Sequence, residues 1–256
     1  MRETDIEALR QLPLFENATA ETLRVATAGA LLQPFPAETT LLIEGAPSDC
    51  LYVLLDGQVE LHASWNGSDT VLSIARPVSM FILAAIVLDA DALMSARTLE
   101  RSLIAMIPGD AVRTAMRLDP HFAGAVAREL AGGYRGMVRS TKNIKLRNNS
   151  ARLANYLLTL RAAGGFGAVV RLPYDKRVIA SLLGMTPESL SRSFSALGTQ
   201  GILVSGPVVT IRDVSALEAI AKPDPLIDMH APRCAEIRAD TDAEIWASEQ
   251  TRTSCR

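Results

Sequence analysis

Residues 178–203 read VIASLLGMTPESLSRSFSALGTQGIL, and the architecture of the chain can be worked outward from them. Two short helices run through them, Lys176 to Leu183, which starts two residues earlier, and Pro187 to Leu197, separated by Gly184-Met185-Thr186. Those are the proportions of a helix-turn-helix. Gly184 admits the tight turn because it lacks a Cβ. Thr186 reads as the N-cap of the second helix. Pro187 takes its first position, where a missing N–H costs nothing. Leu190, Phe194 and Leu197 fall on one face, and Glu188, Ser191 and Arg192 fall together on the other. Near the start of a recognition helix such side chains reach base edges in the major groove. Arg bonds guanine O6 and N7 as a bidentate pair, and Glu accepts from cytosine N4. The expected DNA contacts are Thr186, Glu188, Ser189, Ser191 and Arg192, with Lys176 and Arg177 from the first helix. A surface Glu–Arg pair is the plainer reading, and the cap, the turn and the basic surroundings argue for DNA.

Charge divides the chain in the same way. Its 256 residues carry a formal net charge of −2, but the balance is uneven. Residues 1–118 hold 8 basic and 15 acidic side chains, 119–222 hold 14 and 6, and 223–256 hold 4 and 7. A basic block between acidic ends suits one anion-facing module. No run approaches the roughly 20 apolar residues of a membrane span, and the N-terminus lacks an apolar signal core. Cys50, Cys234 and Cys255 show no metal-ligand spacing and no disulfide framework. The expected setting is cytoplasmic, with no membrane partner.

Upstream, residues 4–32 read as helical, with Thr19 as a cap, until Pro34 and Pro36 break the pattern. From Thr39 to Ile107 the chain reads as short strands. Asp56-Gly57 and Asn66-Gly67 are the expected hairpin turns, which implies a small antiparallel roll. Asp119 and Pro120 open a long helix reaching about Leu146. Along it Val126, Leu130, Gly133, Met137, Ser140 and Ile144 alternate at spacings of four and three, a heptad seam suited to a second copy of the chain. An amphipathic helix packed on its own domain would show a similar pattern. The fold class is α+β: a β-roll effector domain at 1–118, a dimerisation helix at 119–147, and a winged helix-turn-helix at 148–222. A poorly ordered tail is expected at 223–256.

EGAPSDCLYVLLDGQVEL at 44–61, the long helix and TPESLSR at 186–192 together resemble the Crp/Fnr superfamily of bacterial transcription regulators, over roughly residues 5–220. Glu188, Ser191 and Arg192 match the E-x-x-S-R pattern of its Fnr-type recognition helix. The resemblance implies a cupin-like, cyclic-nucleotide-binding-type roll and a homodimer on a TTGAT-like inverted repeat. It also implies an activator that engages RNA polymerase.

The departures bear on the signal. No cysteine precedes Cys50, so no iron–sulfur cluster is expected. The stretch corresponding to the family's phosphate cassette, VSMFILAAIVLDADALMSART at 78–98, puts Met94-Ser95 where an Arg-Ser pair would stand. The long helix offers Met137-Val138 where a polar pair would meet the base. A cyclic nucleotide would lose its charged partner, so cAMP is not expected, although Arg97 offers a cation from a shifted position. Phe81, Ile82, Leu83, Met94, Met137 and Val138 form an apolar candidate effector pocket, and the same residues read equally as a packed core. This stretch is most similar to the nitric-oxide-responsive denitrification regulators. That makes haem the leading cofactor candidate, with His62, His121 or Cys50 as axial-ligand candidates. An effector-free regulator controlled by its abundance, or a sensor of another apolar molecule, remains the alternative. No nucleophile with a neighbouring base and no phosphate loop is visible, so no enzyme is expected.

Overall fold

The structure is a computed structural model that describes residues 9–10 and 12–228. The chain forms two compact units that divide between Gly136 and Met137. No helix among the described residues is long and apolar enough to cross a membrane.

The first unit is an antiparallel β-roll. One sheet contains β1 (Leu31–Phe35), β8 (Ser102–Pro108), β3 (Cys50–Asp56) and β6 (Ser79–Phe81), in that order. The other contains β2 (Thr40–Leu42), β7 (Ser95–Thr98), β4 (Val59–Trp65) and β5 (Ser68–Ala75). Leu51, Val53, Ile104 and Ile107 from the first sheet share one core with Leu42, Val59, Leu61 and Ala96 from the second. Among the described residues three complete helices accompany the roll: α1 (Ala20–Ala26), α2 (Leu83–Leu88) and α3 (Gly109–Leu118). Thr19 caps α1 as expected, its hydroxyl accepting from the Thr22 N–H at 3.0 Å.

Three local expectations need correction. The helical start is shorter than 4–32. Among the described residues Leu9 is helical, turns follow through Asn17, α1 comes next, and strand β1 has begun by Leu31, while 4–8 and 11 lie outside the described residues. Pro34, expected to break structure, sits inside β1. It is tolerated there because β1 is at the edge of its sheet, where one missing donor need not break a ladder. Asp56-Gly57 does not close a hairpin. β3 pairs with β8 and β6 while β4 pairs with β7 and β5, so the turn is a corner from one sheet to the other. Gly57 has φ +88°, and a Cβ there would stand 2.7 Å from the Arg101 carbonyl oxygen. Only glycine fits that approach. Asn66-Gly67 does close a hairpin. Both residues have positive φ, 48° and 75°, and Trp65 pairs with Ser68, the two-residue geometry that matches strand twist.

The long helix α4 (Pro120–Leu146) has 27 residues and is about 40 Å long. Asp119 accepts from the N–H groups of His121 and Phe122 at 2.8 and 3.2 Å. The Thr22 hydroxyl donates to its other oxygen at 2.6 Å. That bond, with the two backbone donors, holds the Asp119 carboxyl below its ordinary range. Phe122, Ala125 and Val126 face the roll core, and Phe122 stacks on Phe15 at 5.6 Å.

The second unit follows with α5 (Asn149–Ala163), β9 (Val169–Arg171), α6 (Lys176–Leu182), α7 (Pro187–Gly198), β10 (Ile202–Ser205), β11 (Val208–Ile211), α8 (Val214–Ala221) and α9 (Pro225–Asp228). Strands β10, β11 and β9 form a small antiparallel sheet, the wing. The core joins Leu153 and Leu157 of α5, Ile179 of α6, Leu190, Phe194 and Leu197 of α7, Val209 of β11 and Leu217 of α8. Of the segment 223–256 expected as a poorly ordered tail, residues 223–228 are described and include α9, where Asp228 accepts a hydrogen bond from the Asp224 N–H. The rest of that expectation, 229–256, lies outside the described residues.

Candidate nucleic-acid interface

Local chemistry sets the two helices of the motif. Asp175 caps α6 by accepting from the Val178 N–H at 2.8 Å. At its other end the Gly184 and Met185 N–H groups bond back to Ser181 and Ala180 carbonyls at 2.8 and 2.9 Å. This reversal needs φ +61° at Gly184. A side chain there would stand 3.3 Å from Ile144. Thr186 then caps α7, accepting from the Ser189 N–H at 3.2 Å, with Pro187 in the first turn. Burial of Leu190, Phe194 and Leu197 fixes the rotation of α7.

That rotation leaves Glu188, Ser191 and Arg192 exposed together, and Ser195 with them. Ser195 escaped the sequence reading, although its position one turn after Ser191 would have located it. Arg192 Nη2 donates to Ser189 Oγ at 3.0 Å, which leaves most of its five donors free. Glu188 is held below the ordinary carboxylate range by its own backbone N–H, then by the Thr186 hydroxyl and by Arg192. It is therefore an anion and a pure acceptor at neutral pH. One helix face thus presents a fork of donors beside an acceptor, complementary to a guanine edge beside a cytosine amine. Lys176 and Arg177 are exposed at the start of α6, and the Lys176 ammonium stands 5.7 Å from the Phe194 ring centre. An open groove of about 310 Å³, lined by Lys176, Ser191, Ser195 and Leu203 among others, runs between α7 and β10.

The expected seam divides. Val126 is 1% exposed in the roll core, so it serves its own unit and is not free for a partner, a correction to the heptad reading. Leu130 is half-buried against the same core. Gly133, Met137, Ser140 and Ile144 are exposed, Met137 at 72%, and Ile144 also lies beside Gly184.

Of the expected effector residues, Phe81, Ile82 and Leu83 are buried in the roll core and Met94 packs against it. Val138, like Met137, is exposed. Ile82 adopts φ +72°, a left-handed conformation rare for a β-branched residue. Arg97, the one candidate cation, is already engaged. It pairs with the buried Glu60 at 3.0 Å and with Glu38 at 3.4 Å. His62 Nδ1 stands 3.7 Å from the same Glu60. His121 lines a cleft of about 480 Å³ with Pro13, Asn17 and Arg128. Cys50 opens β3, its thiol pushed up by burial. Neither the cleft nor the α7 groove touches Phe81, Ile82, Leu83 or Met94. Among the described residues no three His, Cys, Asp or Glu side chains are grouped to hold a metal ion.

A model of the Crp-like helix-turn-helix domain matches residues 151–220, and one of the cyclic nucleotide-binding domain matches residues 32–119. The CRP-like cAMP-activated global transcriptional regulator of Mycobacterium tuberculosis is 26% identical over 224 residues, 84% of this chain and 99% of its own length. The anaerobic regulatory protein of Pasteurella multocida is 27% identical over 191 residues, 72% of this chain and 70% of its own. The solved structure of FixK2 from Bradyrhizobium japonicum shares the fold, with a TM-score of 0.63 at 20% identity over 79% of this chain and 99% of that one. With a domain match on each unit and regulators of transcription as relatives over most of its length, the chain belongs to the Crp/Fnr superfamily of DNA-binding transcription regulators.

Proposed function

We propose that the chain is a homodimeric regulator that recognises a TTGAT-like inverted repeat in double-stranded DNA and acts there with RNA polymerase. The observation that carries the reading is the outward face of α7, where Glu188, Ser191 and Arg192 stand exposed together above a capped first turn. Two such faces in a two-fold dimer match half-sites about 34–36 Å apart. The exposed Gly133, Met137 and Ser140 on α4 support a seam in which small residues let two helices approach. Fluorescence anisotropy on a labelled repeat tests the DNA part. Tight binding to the repeat, and weak binding once the guanine is replaced, is expected. Equal binding to both overturns it. Met137→Glu tests the dimer: sedimentation should show monomer where wild type is dimeric.

The charges around Arg97 and Met94 argue against a cyclic nucleotide as effector, although the mycobacterial relative is named for activation by cAMP. Arg97 is committed to Glu60 and Glu38, and Met94 offers a phosphate no charge. The buried Phe81, Ile82 and Leu83 do not fit haem as they stand, because it would have to part them from the core, and a nitric oxide response through haem needs the same opening. Control by abundance needs none, and is the reading that this packing supports best. Calorimetry with cAMP and a haem titration followed at the Soret band test it. Micromolar cAMP affinity overturns the argument from charge, and saturable haem binding overturns the effector-free reading.

A further inference from the structure

We infer that the cleft at the start of α4 is a binding site for a small carboxylic acid with an apolar body. The cleft holds about 480 Å³, within the range of small-molecule sites. One wall is the turn segment of residues 13–18 and the other is the first turns of α4, from Pro120 to Arg128. Both walls belong to the first compact unit. Phe81, Ile82, Leu83 and Met94 do not line the cleft, so a ligand here leaves the roll interior closed.

The walls are set before any ligand arrives. Leu12, Leu14 and Phe15 are at most 1% exposed. The Glu16 and Ala18 N–H groups donate to the Leu12 and Phe15 carbonyls at 3.1 Å each. The stack of Phe15 on Phe122 ties this segment to α4. Asp119 fixes the start of α4 through the His121 and Phe122 N–H groups, and the Thr22 hydroxyl holds it to α1. A site formed in advance pays little to become ordered on binding.

The lining selects the ligand. Pro13, Leu14 and Ala125 offer apolar surface, while Asn17, His121 and Arg128 offer an amide, an imidazole and a guanidinium. Among the described residues no carboxylate lines the cleft, although residues 1–118 carry 15 acidic side chains against 8 basic. Nor is any carboxylate among the described residues paired with Arg128. Its fork of donors matches a partner with two oxygens. Gly124 stands one turn before it, and a Cβ there would lie 3.5 Å from Arg128 Nη1. The guanidinium thus lies close over the glycine, which keeps the floor of the cleft open. A bare anion would leave the apolar wall unused, and a neutral ligand would leave the guanidinium unpaired. An acid with an apolar body meets both.

Proton NMR of the full chain without DNA, titrated with phenylacetate, tests this apart from the DNA-binding reading. The chain has three histidines, and the His121 ring signal is identified by its loss in His121→Gln. That signal should shift saturably with phenylacetate. Phenylacetamide, which lacks the charge, should bind about tenfold more weakly, and Arg128→Gln should weaken phenylacetate about tenfold. Gly124→Leu, which fills the floor, should abolish the shift, while an unchanged His62 ring signal shows that each variant keeps its roll. No saturable shift by about 10 mM phenylacetate overturns the inference. So does equal binding of the amide or of inorganic phosphate, or a shift that survives both variants.

Discussion

Helices α2 and α7 differ in what they bury and what they expose. α7 buries Leu190, Phe194 and Leu197 and turns Glu188, Ser191 and Arg192 to solvent from a start capped by Thr186. α2 buries Leu83 and Ile86, has no side-chain cap, and carries no charged residue between its left-handed ends at Ile82 and Asp89. The helix that keeps its polar chemistry outward remains equipped to meet a ligand. The helix that has spent its side chains on the core contributes stability. Two helices of one chain thus divide between a polar exposed face and core packing.

The sharpest way to break this contrast is Ile86→Ala. Ile86 is 0% exposed, so the substitution should destabilise the roll unit by about 2–5 kcal/mol, read by urea titration. A loss below about 1 kcal/mol would mean that α2 covers a space and not a core. Arg192→Ala should do the reverse. Stability should stay within about 0.5 kcal/mol of wild type, while binding to the repeat weakens by about 1–3 kcal/mol and discrimination at the guanine flattens. Thr186→Ala should cost about 1 kcal/mol in thermal or urea unfolding of the DNA-binding unit, a loss with no counterpart at uncapped α2.

Acid separates the two regions with a smaller effect. The Asp119 carboxyl is held below its unfolded value, so its contribution is fully present above about pH 4 and fades as pH falls through the lowered value. Asp119→Asn should flatten the acid limb of the roll's stability curve. Glu188 is also lowered but is exposed, so its protonation should appear in DNA discrimination and not in unfolding.

Features fixed by neighbours in sequence were legible beforehand. Thr186-Pro187, Asn66-Gly67 and the i, i+4 faces of α7 each act within one turn, and each took the expected form. What failed depends on distant chain. Asp56-Gly57 looks like a hairpin until the Arg101 backbone fills the space beside Gly57. Val126 fits a heptad, and only the roll core lying beneath it shows which way it points. The Arg147–Asp228 pair joins residues 81 positions apart, and Asp228 lies in a segment that composition marked as tail. The exposed face of α7 was readable because its cap and its i, i+4 spacing act within one helix. The candidate effector pocket was ambiguous because apolar residues line cavities and cores alike.

Pro34 in β1 has a consequence for the protein at high concentration. An edge strand is a template on which another chain can lay a strand of its own. Proline withdraws one donor from that template, so a neighbouring molecule meets an interrupted ladder. The residue that reads in sequence as a break is, in the fold, an interruption of the exposed edge of β1.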